Sequence, residues 1–180
     1  YYNPKGIDVG KAIQYRNENN GTLDKFSGGD KISNEELLSL KVDVLIPAAL
    51  ENAITDKNAD NIKAKVIVEG ANGPTSHEAD EILEKNEIIA VPDILANAGG
   101  VIVSYFEWVQ NRLGFKWTKN RVYRRSDSII KQSFNNVYSI AKKFKVSLRT
   151  AAYIAAIDKV SRTYKYRDGS FTFQKNGENS

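Results

Sequence analysis

The sequence contains no cysteine, no methionine and a single histidine, His77. The absence of cysteine excludes disulfides, thiolate catalysis and cysteine-bound metal sites. One histidine argues against a histidine metal cluster or a Ser-His-Asp triad within this chain. We therefore predict no metal site and interpret His77 as an exposed residue. The lack of methionine even at position 1 suggests a fragment, or a chain whose natural start lies upstream.

Long apolar runs are also missing from the sequence. No run approaches the ~20 residues that a membrane-spanning helix needs, and no signal peptide is visible at the start. We therefore expect no membrane partner. A chain of 180 residues is long enough to bury the core of a domain, and its composition is typical of a globular protein.

Charge of one sign is only mildly in excess, because 26 basic and 22 acidic residues give a net charge of +4. The basic residues concentrate in the C-terminal half, at Lys119, Arg121, Arg124, Arg125, Lys142, Lys143 and Lys145. No nucleic-acid-binding motif accompanies them. The pattern therefore favours the solvated face of a helix, or a contact between subunits, over nucleic-acid binding.

Three short runs rich in valine and isoleucine are present, over residues 42–46, 65–69 and 88–91. Continuous apolar runs of this length are typical of strands that are covered on both faces. Helical patterns separate the runs, and this alternation is typical of parallel βαβ units. The sequence therefore predicts an α/β fold with a parallel sheet and helices on both faces.

Two helix starts are marked by capping signals in the N-terminal half. Ser33 stands three residues before Glu36, and Thr75 stands three residues before Glu78. This is the spacing of a capping box in each case. A short helix is predicted over residues 7–16, and between it and Ser33 residues 22–26 are expected to form a short strand.

The C-terminal half shows helical patterns and no further strand pattern before the polar tail. A helix opens near Asn97 and has apolar residues on more than one side, so we expect it to be largely buried. A long helix is predicted over residues 122–144. Ser147 then caps a last helix, and small residues on one of its faces predict close packing against the neighbouring helix. These residues are Ala151, Ala152, Ala155 and Ala156.

Small or polar loops follow all three predicted strands. They are residues 47–49, residues 70–73 and the loop that ends at Asn97. Open α/β sheets bind ligands at the carboxyl ends of their strands, so three such loops predict one ligand crevice. Asn72 and Asn97 each have the groups to hydrogen-bond a carboxamide or a ribose hydroxyl, although asparagines in turns also bond their own backbone.

One face of the helix that opens near Asn97 suits a small molecule. Asn97, Val101 and Ser104 lie at positions i, i+4 and i+7 and therefore share that face. Gly99 and Gly100 leave the backbone bare, so that a ligand can approach closely. The alternative interpretation is a capped core helix with glycine in its first turn.

Three long motifs in these loops resemble the glutamate dehydrogenases within the wider glutamate/leucine/phenylalanine/valine dehydrogenase family. They are Ile-Pro-Ala-Ala-Leu-Glu-Asn at 46–52, Glu-Gly-Ala-Asn-Gly-Pro-Thr at 69–75 and Asn-Ala-Gly-Gly-Val-Ile-Val-Ser-Tyr-Phe-Glu-Trp at 97–108. The resemblance extends over residues 1–167. It implies a Rossmann-like fold followed by a C-terminal helical segment.

The resemblance also implies a division of the chain. Residues 1–96 correspond to the C-terminal part of an NAD(P)-binding domain, and residues 97–167 to long helices that pack on it and line the cleft. Residues 168–180 form a polar tail without a counterpart in the family. The positions implied to contact the cofactor, NAD or NADP, are Ala48, Ala49, Asn72 and Asn97. Those implied to contact the substrate are Val101 and Ser104.

The reaction that the resemblance implies is the reversible oxidative deamination of L-glutamate to 2-oxoglutarate and ammonia. A homo-hexamer and a cytoplasmic location are implied as well. The family's catalytic lysine and aspartate and its glycine-rich phosphate turn have no counterpart among these 180 residues, so no catalytic residue is assigned here. We therefore predict that these residues alone do not turn over glutamate.

Two alternatives stay open at the level of the sequence. The first is a leucine, valine or phenylalanine dehydrogenase of the same family. Ser104 argues against it, because an apolar substrate leaves a pocket hydroxyl without a partner. The second is a non-catalytic fragment that binds a nucleotide or a partner through the basic helix over residues 119–145.

Overall fold

The computed structural model describes residues 1–167, so the predicted polar tail over residues 168–180 lies outside the described residues. Three strands form a parallel sheet in the order β1-β2-β3. They are β1 (Val44–Leu45), β2 (Val66–Val68) and β3 (Ile89–Val91). The predicted parallel α/β fold is therefore confirmed. Each strand is shorter than the apolar run from which it was predicted.

The described part of the chain also has seven α-helices, and a 3₁₀ turn (Ala59–Asn61) lies between β1 and β2. The capping box of Ser33 and Glu36 is present at the start of the second helix. The helices are α1 (Val9–Glu18), α2 (Asn34–Leu38), α3 (His77–Lys85), α4 (Asp93–Ala96), α5 (Gly99–Leu113), α6 (Lys119–Phe144) and α7 (Leu148–Arg167). None of the helices in residues 1–167 is both long enough and apolar enough to cross a membrane.

Two hydrophobic cores lie on opposite faces of the sheet. Ala90 packs against the first core, which includes Ile67 of β2 and Leu83 of α3. The next residue of β3, Val91, packs against the second core, formed mainly by α6 and α7. Successive residues of a strand point to opposite faces, so the helices cover both sides of the sheet, as predicted.

The pairing of α6 with α7 confirms the expectation from the small residues of the last helix. Ala151 and Ala152 of α7 are buried against Val137 and Ala141 of α6. Ser147 accepts the backbone N–H of Thr150 at 3.3 Å, as a capping residue does. The seven basic residues that sequence analysis assigned to a solvated face are all exposed.

Two local predictions were wrong. Residues 22–26 form a turn and not a strand, because Phe26 N donates to Leu23 O at 2.9 Å and no neighbouring strand pairs with this segment. The cap of α3 is Ser76 and not Thr75. Thr75 instead pairs with Ile54 in an isolated β-bridge. The hydroxyl of the next residue, Ser76, accepts the N–H of Ala79.

The expectation that α5 is largely buried was also wrong. Among the described residues of this helix, Phe106 is the buried one, and it packs against Trp117. Tyr105 and Trp108 stack on each other but remain more than half exposed. Only one side of α5 contacts α6, and no described residue covers the other apolar side.

Candidate functional site

An open cleft of about 790 Å³ lies at the carboxyl ends of the strands. The loops after β1 and β2 form one side, and the segment from the end of α4 into α5 forms the other. The lining residues are Ala49, Leu50, Glu51, Gly70, Ala71, Asn72, Asn97, Gly100, Val101 and Ser104. The crevice expected from three strand-end loops is therefore present, and five of the six predicted site residues line it.

Asn72 and Asn97 both line the cleft and contact each other. The side-chain Nδ2 of Asn97 donates to Asn72 Oδ1 at 2.6 Å and lies 3.4 Å from Ala71 O. These bonds join loops that follow different strands, so they are not the local backbone bonds of ordinary turn asparagines. Asn97 lines the cleft, and in the described part of the chain nothing donates to its Oδ1, so this oxygen can accept a hydrogen bond from a ligand.

The loops after β1 and β2 are packed so closely that a side chain at Gly70 would force its neighbour to shift. The backbone N–H groups of Gly70 and Ala71 both donate to Pro47 O, at 3.0 and 2.9 Å. A Cβ atom on Gly70 would lie 3.0 Å from the Cβ of Ala48, which is too close for an undisturbed contact. Ala48 therefore lies behind the cleft wall and lines a neighbouring groove, while Ala49 lines the cleft itself.

The predicted face of α5 is directed into the same cleft. Val101 is 76% exposed, because little of the described chain covers this side of the helix. Ser104 is also exposed, and its Oγ donates to Gly100 O at 3.0 Å within the helix. A hydroxyl bonded in this way retains oxygen lone pairs and can turn its proton toward a ligand acceptor. The contacts of these residues with cofactor or substrate stay predictions.

Sequence reasoning missed a partly buried ion-pair network next to the cleft loops. Arg149 of α7 contacts Glu69 at 2.5 Å, Asp80 at 2.5 Å and Asp93 at 3.6 Å. Glu69 is fully buried, with 0% of its side chain exposed. Burial on its own lowers the pKa of Arg149, but hydrogen bonds and charge attraction from Glu69 and Asp80 outweigh it, so the pKa is raised.

This network continues to the cleft loops through the same carboxylates. Glu69 Oε2 accepts the backbone N–H of Asp93 at 2.8 Å. Asp93 Oδ2 accepts the backbone N–H of Gly73 at 2.9 Å. The position of Glu69 directly after β2 could have indicated that its carboxylate is buried and needs a basic partner. The partner itself lies 80 residues away, and no spacing rule identifies it.

Titratable side chains are almost absent from the cleft lining. Glu51 is the one acidic residue among the lining residues, and no lysine, arginine or histidine lines the cleft. The described surface is therefore suited to binding and orienting a ligand through amide, hydroxyl and backbone groups. Proton transfer would need groups from outside this lining.

Comparison with known proteins gives a consistent result. Residues 1–168 match the family model of glutamate/leucine/phenylalanine/valine dehydrogenase. The chain is 54% identical over 166 residues to a glutamate dehydrogenase of Thermotoga maritima, covering 92% of this chain and 40% of that protein. It is 45% identical to a cryptic catabolic NAD-specific glutamate dehydrogenase of Bacillus subtilis, covering 92% of this chain and 38% of that protein.

Solved structures agree with the sequence relatives. The hetero-hexameric glutamate dehydrogenase of Thermus thermophilus, in a leucine-bound form, superposes with a TM-score of 0.85 at 29% identity. The match covers 93% of this chain and 39% of that one. The chain thus spans about 40% of the length of the relatives it matches. Because the family model matches residues 1–168, this chain belongs to the glutamate/leucine/phenylalanine/valine dehydrogenase family.

Proposed function

We propose that this chain forms the cofactor and substrate wall of an NAD(P)-dependent glutamate dehydrogenase. The reaction is the reversible oxidative deamination of L-glutamate to 2-oxoglutarate and ammonia. The observation that carries this proposal is the meeting of Asn72, Asn97 and Ser104 in one cleft at the carboxyl ends of parallel strands. This is the place where open α/β sheets bind nucleotides.

The cleft has groups that fit a nicotinamide ring and its carboxamide. Asn97 Oδ1 is positioned to accept from the carboxamide N–H, because its Nδ2 is already engaged by Asn72. Ala49, Gly70 and Gly100 keep the lining small and leave room for a flat ring. Bound nicotinamide supplies the group that accepts or returns hydride. The role of the asparagine pair is to fix the orientation of the ring relative to the substrate.

Ser104 gives the proposal its preference for glutamate. Its hydroxyl group donates to Gly100 O in the free protein. With a dicarboxylic substrate bound, the hydroxyl would donate to the distal carboxylate instead. A hydrogen bond to a charged acceptor is worth about 1.5–3 kcal/mol. A leucine side chain offers no acceptor at that position, so a branched-chain substrate gains nothing from this serine.

The remaining chemistry is proposed to come from outside the described cleft. Its lining holds one carboxylate and no amine or imidazole, so proton transfer to and from the substrate needs further residues. We propose that a lysine and an aspartate elsewhere in the full-length enzyme provide them, within a homo-hexamer. The 180 residues on their own are therefore expected to show no glutamate turnover.

Steady-state kinetics of the full-length enzyme test the proposal. NAD and NADP are each assayed with glutamate and with leucine, for the unsubstituted protein, Ser104→Ala and Ser139→Ala. Ser139 is the matched control, since its Oγ donates to Asn135 O at 2.7 Å in the same helical manner but far along α6. We expect Ser104→Ala to lower kcat/KM for glutamate by about ten- to hundredfold.

The result contradicts the proposal if Ser139→Ala causes the same loss, or if leucine is the better substrate of the unsubstituted protein. Turnover of glutamate by residues 1–180 alone, at ordinary enzyme rates, contradicts the proposed division of labour. A protein that binds neither dinucleotide contradicts the cofactor assignment.

A further inference from the structure

Arg149 holds together parts of the molecule that are distant in the sequence. Its side chain is 20% exposed, and its guanidinium contacts carboxylates directly after β2, on α3 and at the start of α4. Nη2 lies 2.5 Å from Glu69 and 3.0 Å from Asp80. An arginine in the first turn of a helix is disfavoured by the helix dipole, so the three carboxylates and not the helix explain its presence there.

Two of the three carboxylate partners, Glu69 and Asp93, are themselves bonded to backbone near the cleft. Glu69 uses one oxygen for Arg149 and the other for the N–H of Asp93. Asp93 uses one oxygen for the N–H of Gly73. Gly73 directly follows Asn72, whose Oδ1 accepts from Asn97. A continuous chain of contacts therefore runs from Arg149 to the asparagine pair.

None of the network side chains lines the cleft. Arg149, Glu69 and Asp93 are absent from its lining residues, while Gly70, Ala71 and Asn72, which the network holds on both sides, are part of it. Arg149 therefore affects a ligand in the cleft indirectly, through the loop over residues 70–73 and the start of α4 that its partners hold. The loop has a short tether at each end: Glu69 precedes it, and Gly73, bonded to Asp93, follows it.

We propose that Arg149 is a positioning residue, which sets the geometry of the Asn72–Asn97 pair and thereby the affinity of the cleft for the nicotinamide end of the cofactor. The proposal rests on the proposed function, because it takes the asparagine pair as the nicotinamide contact. It assigns Arg149 no contact with cofactor or substrate.

The test compares Arg149→Lys and Arg149→Met with Arg162→Met in the full-length enzyme. Arg162 lies on the same helix and pairs with Asp158 at 3.0 Å, but this pair is on the exposed surface. Dissociation constants are measured for NADH and for ADP-ribose, which lacks the nicotinamide. If the protein prefers NADPH, the pair is NADPH and 2′-phospho-ADP-ribose.

We expect Arg149→Met to raise the dissociation constant for NADH about tenfold and to change that for ADP-ribose by less than about twofold. Arg149→Lys keeps the charge but reaches fewer carboxylates, so its effect should be smaller. Arg162→Met should change neither constant. A purely structural role of Arg149 would weaken both ligands alike or lower the thermal midpoint alone, and either outcome overturns the proposal.

Hydrogen exchange gives a second measure that needs no cofactor. The Gly73 N–H donates to Asp93, which Arg149 contacts. Peptides covering residues 70–76 should therefore exchange faster in Arg149→Met than in the unsubstituted protein, and their exchange rate should be unchanged in Arg162→Met. Unchanged exchange in Arg149→Met overturns the positioning role even if NADH binding is lost. If neither Arg149 variant folds, the residue determines the fold and the positioning role is refuted. If the unsubstituted protein binds no dinucleotide while exchange follows the expectation, the proposed function fails and the loop contact stands.

Discussion

Replacing Glu69 by glutamine should destabilise the protein far more than removing a surface carboxylate. Glu69 is fully buried and accepts with both oxygens, from Arg149 Nη2 and from the N–H of Asp93. Glutamine has nearly the same shape but only one acceptor oxygen. Either orientation of its amide therefore leaves one buried donor facing an NH₂ group.

The magnitude follows from what is lost and what remains. One charge-assisted hydrogen bond contributes about 1.5–3 kcal/mol. The larger loss of about 3–5 kcal/mol for an orphaned buried charge does not apply, because Arg149 keeps Asp80 and Asp93. We expect a loss of about 2–3 kcal/mol. For a chain of this size that lowers the thermal midpoint by about 4–12 °C.

Thermal unfolding of Glu69→Gln and Asp43→Asn, at one protein concentration, measures the difference. Asp43 pairs with Lys65 at 2.7 Å, but its side chain is 82% exposed, so its substitution should leave the midpoint unchanged. Equal midpoints for the two variants would refute the argument that Glu69 is stabilised by two irreplaceable donors. So would a Glu69→Gln protein that is as stable as the unsubstituted one.

Two further predictions concern the core and a helix cap. Leu83 is 1% exposed in the first core, and replacing it by alanine should lower the free energy of unfolding by about 3–4 kcal/mol. Replacing the exposed Leu113 by alanine should lower it little. Urea unfolding measures both free energies. The backbone N–H of Ser33 lowers the pKa of Glu36 in the folded state. The stability that Glu36 contributes is therefore complete above its pKa in the unfolded chain and is lost as the pH falls through its lower folded pKa. Glu36→Gln should thus lower the thermal midpoint at pH 7 and have no effect once Glu36 is protonated, and an effect that persists in acid would contradict the cap.

Sequence patterns predicted those parts of the fold that depend on nearby residues. The three strands came from continuous runs of valine and isoleucine, and α6 from its helical spacing. The helical repeat also placed Val101 and Ser104 on one face of α5, but Asn97 lies before this helix, as the C-cap of α4. Their meeting with Asn72 followed from a general rule about strand ends in parallel sheets.

The failures came from information that is not local. Thr22 and Phe26 are of strand-forming types, but the segment between them has no partner strand, and Lys25 adopts a positive φ of 64° within the turn that forms instead. An apolar stripe on α5 showed which sides of the helix are apolar, but not which of them another element covers. The tertiary fold brings Arg149 to carboxylates that are distant in the sequence, Glu69 being 80 residues away. No sequence periodicity predicts a contact over such a separation.

The ion pairs of Arg149 with Glu69, Asp80 and Asp93 have a consequence for building chimeras from related dehydrogenases. A crossover at the predicted boundary between residues 96 and 97 would take the acidic partners from one parent and the guanidinium from the other. Such hybrids should assemble only when both parents carry matching charges at positions 69 and 149. A splice point beyond residue 149 keeps the two together and is the safer place to exchange the C-terminal end of the molecule.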